Sequence, residues 1–201
     1  MSVITSVTAQ KNQKRVNIFI DGEYSFAIDL DNFVCLGLKV NQELTQEEIN
    51  EIIKKSEFQK CLDKTINFAM VRPRSIKEVK DYFRRKEVPE SIHEEIFKRL
   101  EKLELVDDQK FAKWWVEQRL AFKLKSKKDL TFELRQKGIS GQTIKNVLDD
   151  SEIDEVKIAK KLVAKKSYKW QKYNEKIRRQ KISQYLVGKG FGWDVINSAL
   201  K

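Results

Sequence analysis

Histidine is nearly missing from this 201-residue sequence, which has His93 alone. Cysteine and proline number two each, and glycine seven. One histidine and two distant cysteines cannot supply the ligands of an ordinary zinc centre. A nucleophile–histidine mechanism would rest entirely on His93, which follows Ser91 at a helix start and reads as a first-turn residue. Cys35 and Cys61 sit among apolar neighbours such as Phe33, Val34, Leu36 and Leu62, so both are expected to be reduced core residues. No apolar run approaches the roughly 18 residues of a membrane span. The N-terminal MSVITSV lacks the basic and apolar regions of a signal peptide, so a cytoplasmic location is expected.

What is present is a pattern that recurs at about fifty residues. Lys137-Gly138-Ile139 follows Leu130 and Leu134 and precedes Ile144, Val147 and Leu148. Lys189-Gly190-Phe191 follows Ile182 and Leu186 and precedes Ile196, Ala199 and Leu200. Lys86-Glu87-Val88 follows Val79 and Phe83 and precedes Ile92, Ile96 and Leu100, without the glycine. Such a period marks a repeat array, whose units bury their apolar faces by stacking on neighbours. Helix-start signals recur with it: Ser75 to Glu78, Ser91 to Glu94, Ser126 to Asp129 and Ser151 to Asp154, with Asp108 ahead of Phe111, Trp114 and Trp115.

The opening differs. Val3–Thr8 and Val16–Asp21 are rich in β-formers, and Asp21-Gly22 is a two-residue hairpin signal before Tyr24–Ile28. About three strands are expected there, then a short helix at 30–36 ended by Gly37 and a capping box at Thr45–Glu48. The fold class is therefore mainly α: a tandem array of three three-helix repeats, elongated and curved, behind a small β-containing segment. The expected divisions are 1–56 for that segment, then 57–106, 107–150 and 151–201 for the repeats.

Charge is concentrated. Residues 156–189 hold twelve Lys or Arg and one acid, Glu175, while the rest of the chain carries 29 basic and 29 acidic residues. A local positive field attracts polyanions, although such a run also reads as solvated helix surface. The interleaved rings of Tyr168, Trp170 and Tyr173 favour nucleic acid, since single-strand binders combine cations with stacking aromatics. Those rings equally suit packing.

Catalytic readings are weaker. Gly188-Lys189-Gly190-Phe191-Gly192 lacks the spacing and the Lys-Ser/Thr ending of a phosphate loop, and Gly190 stands where Gly138 stands one repeat earlier. Asp107-Asp108 and Asp149-Asp150 allow a metal-dependent nuclease as a further reading, but adjacent acids diverge in direction and serve equally as helix caps. No catalytic, metal or cofactor residue is assigned, and the expectation is a non-enzyme.

Arg72-Pro73-Arg74-Ser75 with Glu78-Val79, then Leu103-Glu104-Leu105-Val106-Asp107-Asp108-Gln109-Lys110-Phe111-Ala112, resembles the RecX family. Ser126-Lys127-Lys128-Asp129-Leu130, Glu133 through Ile139, and Lys189-Gly190-Phe191 with Trp193-Asp194 continue the resemblance over residues 57–201. Glu87 stands where the family often has glycine. The resemblance implies a regulator that binds the RecA recombinase filament on single-stranded DNA and depresses its ATPase, strand-exchange and co-protease activities. It also implies three-helix repeats, DNA binding by many members, duplex DNA included, and a role in recombinational repair and the SOS response. It supplies no catalytic residue, cofactor or small-molecule substrate.

The expected electrostatic contacts are Lys160, Lys161, Lys165, Lys166, Lys169, Lys172, Arg178 and Arg179, with Trp170 and Tyr173 for stacking. Arg72 and Arg74 are expected partner contacts, Arg74 because a cation before the Ser75 cap sits at the unfavourable end of a helix. The alternative is a general DNA-binding helical repeat protein without a recombinase partner.

Overall fold

A computed structural model describes residues 1–11 and 13–201. The chain divides into two compact units: residues 1–70 with 88–96, and residues 71–87 with 97–201.

In the first unit, β1 (Ser2–Ala9), β2 (Arg15–Ile20) and β3 (Glu23–Asp29) form an antiparallel meander. Asp21 and Gly22 both take positive φ, 51° and 87°, as a tight hairpin turn requires. α1 (Leu30–Cys35) follows, capped by the Asp29 carboxylate. A two-residue strand, β4 (Glu43–Leu44), pairs with β1, so the sheet has four strands in the order β3-β2-β1-β4. The sequence predicts three, because a strand of two residues carries no alternation to detect.

α2 then runs unbroken from Gln46 to Met70. Thr45 and Glu48 close its start reciprocally: the Glu48 amide donates to Thr45 Oγ1 and the Thr45 amide to the Glu48 carboxylate. No glycine or proline lies between 46 and 70, so nothing in the chain ends the helix at the 56/57 division. Alternate strand residues Ile4, Val16, Ile18, Phe26 and Ile28 face Ile49 and Ile52 of α2 to form the core.

The second unit contains α3 (Ile76–Arg85), α5 (Asp108–Phe122), α6 (Lys127–Gln136), α7 (Gly141–Asp150), α8 (Glu155–Lys166), α9 (Glu175–Val187) and α10 (Trp193–Ala199). α4 (His93–Lys102) lies across the division between units, behind a 3-10 turn at Glu90–Ile92. Phe111, Val116, Leu130, Leu134, Ile144 and Val147 form one core of α5–α7; Ala159, Trp170, Ile182, Leu186, Phe191 and Ile196 form another of α8–α10.

The joints between successive triplets repeat in chemistry as well as in sequence. Ser75 caps α3 by accepting from the Glu78 amide, and its hydroxyl donates to the Lys137 carbonyl at 2.8 Å. Ser126 caps α6 by accepting from the Asp129 amide and donates to the Lys189 carbonyl at 2.8 Å. The first amide of each helix is taken by an acid of the following triplet: Ile76 by Asp108, Lys127 by Glu155, each at 2.9 Å. Gly138 and Gly190 sit in the left-handed region, φ 83° and 79°, pressed against this joint. A Cβ at Gly138 would lie 2.7 Å from Lys77 Cβ, and one at Gly190 2.8 Å from Ser126 Oγ.

Two caps differ from expectation. Asp107 caps α5, accepting from Gln109 and Lys110, which frees its neighbour Asp108 for Ile76. Asp154 caps α8, whereas Ser151 bonds back to the Val147 carbonyl at the end of α7. An acid directly before the helix suits the free amides there and leaves Ser151 unneeded.

Candidate nucleic-acid interface

The basic residues of the third triplet lie on α8, on the link after it and on α9. On α8 the spacing of Lys157, Lys160, Lys161 and Lys165 places them within an arc of about 140° at 3.6 residues per turn, and all four are exposed. Ile158, Ala159, Leu162 and Val163 occupy the other side and pack into the core. α9 is 13 residues long where α6 is 10. Its first turn, Glu175–Gln180, is exposed at every position and carries Lys176, Arg178 and Arg179. Lys169 and Lys172 are exposed on the link. Among the described residues, none of these cations is ion-paired, so their charge faces solvent with only Asp154, Glu155 and Glu175 at the helix starts beside them.

Lys166 differs: it is half-buried, with Nζ 4.9 Å from the centre of the Tyr185 ring. That contact turns it toward the helix pair.

Trp170 also departs from expectation. It is 7% exposed and packs in the α8–α10 core, its ring 5.4 Å from Tyr185. A ring so enclosed cannot stack on a base, and the burial of a large indole outweighs any surface role here. Tyr173 is half-buried beside the same core, with Lys172 and Lys181 at 5.4 Å and 4.8 Å from its ring. The exposed ring of the link is Tyr168, at 65%, with Lys169 6.0 Å from its centre. Tyr168 and Trp170 share basic and polar neighbours in the chain, so the sequence carries no sign that separates the exposed ring from the buried one.

Arg72 is a structural member of the first joint, and Arg74 enters it through its backbone. Arg72 makes a two-pronged bond to the Glu78 carboxylate at 2.8 Å and 3.0 Å and lies over the Trp114 ring at 5.3 Å. Lys137 reaches the same carboxylate at 2.7 Å, which closes a charge triad across the joint. Burial pushes the Glu78 carboxyl upward, but the bonds from Arg72 and Lys137 outweigh it and hold the group below the ordinary glutamate range. Arg74 is half-buried, its backbone bridged to Val106; burial first, then the charge of Arg72, lowers its pKa.

A second network ties α5 to α6. Glu133 accepts from Arg119 Nε at 2.6 Å and Trp115 Nε1 at 2.9 Å, and pairs with Lys125 at 3.1 Å. Arg119 also stacks 3.9 Å above the Trp115 ring.

Of the two acid pairs considered for a nuclease, Asp107-Asp108 is engaged at the start of α5 and in the first joint, and Asp149-Asp150 is exposed at the end of α7. Asp107 and Asp108 both hold backbone amides, and burial first, then Asp107, raises the Asp108 pKa against the Ile76 bond. Among the described residues, no three His, Cys, Asp or Glu side chains are grouped as a metal site would need. His93 Nε2 lies 2.9 Å from the Val88 carbonyl oxygen. Among the described residues, no helix is long and apolar enough to cross a membrane.

Residues 2–45 match the regulatory protein RecX N-terminal domain, 107–148 the second RecX three-helix domain and 152–200 the third. The whole chain aligns with regulatory protein RecX of Bacillus licheniformis at 37% identity, covering 77% of that protein. It aligns over its full length with the Bacillus subtilis protein of the same name at 36%, covering 76% of it. The chain belongs to the RecX family.

The fold agrees. A crystal structure of regulatory protein RecX superposes with a TM-score of 0.76 at 27% identity, covering 99% of this chain and 98% of that one. The crystal structure of RecX from Lactobacillus salivarius gives 0.65 at 25%, covering 72% of this chain and 94% of that one. Three-helix domains are the family's own description, and the RecX relatives are regulatory proteins by name.

Proposed function

We propose that this chain binds the RecA recombinase filament on single-stranded DNA and inhibits its ATPase, strand-exchange and co-protease activities, acting in the cytoplasm in recombinational repair and the SOS response. The observation that carries the reading is the set of exposed, unpaired cations on α8, its link and α9, borne by a chain of the RecX family. Lys160, Lys161, Lys165, Lys169, Lys172, Arg178 and Arg179 meet the filament's phosphates or an acidic wall beside them, and Tyr168 offers a ring to an unstacked base. The protein needs no bond-making chemistry for this. A ligand that prefers one filament state shifts the equilibrium by its differential affinity for that state.

The test is RecA ATPase on single-stranded DNA with this protein titrated below one molecule per recombinase protomer. Inhibition at such ratios, lost on reversing Lys160, Lys161 and Lys165 to Glu with the fold intact, supports the reading. Filament-independent DNA binding, single- or double-stranded, with no effect on the ATPase would give the chain the simpler role of a DNA-binding helical repeat protein.

A further inference from the structure

A groove of about 290 Å³ lies between α6 and α7, lined by none of the α8–α9 cations. α6 presents Lys127, Thr131 and Arg135 to it at spacings of four, and α7 presents Gly141, Lys145 and Leu148, with Ile144 alongside. Lys127, Arg135 and Lys145 are ion-paired to no acid among the described residues. One acid, Asp149, lies at its end. Phe132 stands next to Thr131 on α6, 62% exposed.

We infer that this groove docks an acidic amphipathic helical segment of a protein partner, its apolar side chain seated between α6 and α7 and its carboxylates on Lys127, Arg135 and Lys145. The lining chooses peptide over nucleotide. The floor is aliphatic, and the one hydroxyl there, Thr131 Oγ1, already donates to the Lys127 carbonyl at 2.8 Å. The floor itself offers a base edge no free hydroxyl or amide, whereas a leucine or phenylalanine needs none; the free donors of the groove are the three cations, which suit carboxylates. An apolar trough with a cationic rim is the form in which helices are received by grooves, anchored at four-residue spacings. Within the reading above, this surface takes a protein element of the assembly and the α8–α9 surface its phosphates.

The test uses the full chain and a labelled 16-residue helical peptide with leucines four apart flanked by glutamates, beside versions with Glu→Lys and Leu→Ser. The acidic leucine peptide should bind saturably and both altered peptides at least tenfold more weakly. Arg135→Glu with Lys145→Glu should weaken the peptide at least tenfold while oligothymidine binding stays within twofold. Thr131→Trp, which fills the trough, should do the same, and thermal melts confirm the fold of each variant. Absence of saturable peptide binding, or binding that survives the charge reversals, overturns the inference. So does a loss of oligothymidine binding in its place, which would make the groove a nucleic-acid surface. RecA filament binding is measured in parallel: wild type that ignores filaments but binds the peptide through the groove sinks the proposed function and leaves this inference standing.

Discussion

Ser126 Oγ stands 2.8 Å from the Lys189 carbonyl while accepting from the Asp129 amide, and Ser75 holds Lys137 and Glu78 in the same way. Each serine is fully buried. Ser126→Ala removes a helix cap, about 1 kcal/mol, and strands a carbonyl at a further cost of about 1–3 kcal/mol. A loss of about 2 kcal/mol or more in urea unfolding is expected, with Ser75→Ala similar. A change below about 0.5 kcal/mol, the range of an ordinary surface substitution, would show the joint to be dispensable.

Gly138→Ala and Gly190→Ala meet both an unfavourable φ and a neighbouring atom within 2.8 Å. Gly22→Ala meets only the φ, with nothing within 4 Å of the added Cβ. The left-handed region costs an L-residue about 1–2 kcal/mol, so Gly22→Ala should lose about that and the joint glycines visibly more. Glu87 already bears this conformation at φ 51°. Glu87→Gly should therefore be neutral or stabilising by up to about 1 kcal/mol, since backbone freedom in the unfolded chain offsets part of the relief. Denaturation midpoints of the four variants rank the effects directly.

Acid should weaken the α5–α6 contact. Burial raises the Glu133 carboxyl, but bonds from Arg119, Lys125 and Trp115 outweigh it, so its folded pKa lies below the ordinary value. A depressed carboxylate contributes stability that is present above its unfolded pKa and disappears as pH falls through the folded one. Glu78 follows the same sign. Stability should decline as pH drops below the ordinary glutamate range, and Glu133→Gln should flatten that decline while lowering stability at pH 7. A variant whose pH profile parallels wild type would remove Glu133 as a contributor.

Binding of oligothymidine should weaken with salt. If about six phosphates are neutralised, the slope of log affinity against log salt is near −4 for a single strand. Reversing Lys160, Lys161 and Lys165 to Glu should reduce its magnitude by about 2 or more. An unaltered slope would move the contact elsewhere on the chain.

Trp170→Ala and Tyr168→Ala separate packing from stacking. Trp170 is core, so its truncation should cost about 3–5 kcal/mol of stability. Tyr168 is 65% exposed; its truncation should leave the melt unchanged and weaken oligothymidine binding, up to about 1–3 kcal/mol if one base stacks on it. Equal effects of the two substitutions on binding at constant fold would contradict this division.

The features legible in the sequence are those set by local chemistry. The Asp21-Gly22 turn, the Thr45–Glu48 box, the serine caps at 75 and 126, and the glycines at 138 and 190 all follow from backbone rules within a few residues. Their period exposed the triplets. What stayed hidden depends on contacts across sequence distance. Arg72 and Arg74 read as surface cations because Glu78, Lys137 and Val106 are brought to them only by stacking. Trp170 reads as a stacking ring because lysines lie near it in the chain, while its neighbours in the core come from α8, α9 and α10. The α6–α7 groove left no sequence signal, since its residues obey helical spacing separately on two helices.

One hydroxyl closes both its own helix and the turn of the next triplet, and this links their local opening. When the first turn of α6 frays, the Lys189 carbonyl loses its donor and Gly190 loses the wall it rests on. Amide exchange around Gly190 should thus respond to changes made sixty residues earlier, and α5–α7, gripped at Lys137 and gripping at Ser126, is the segment through which any such disturbance has to travel.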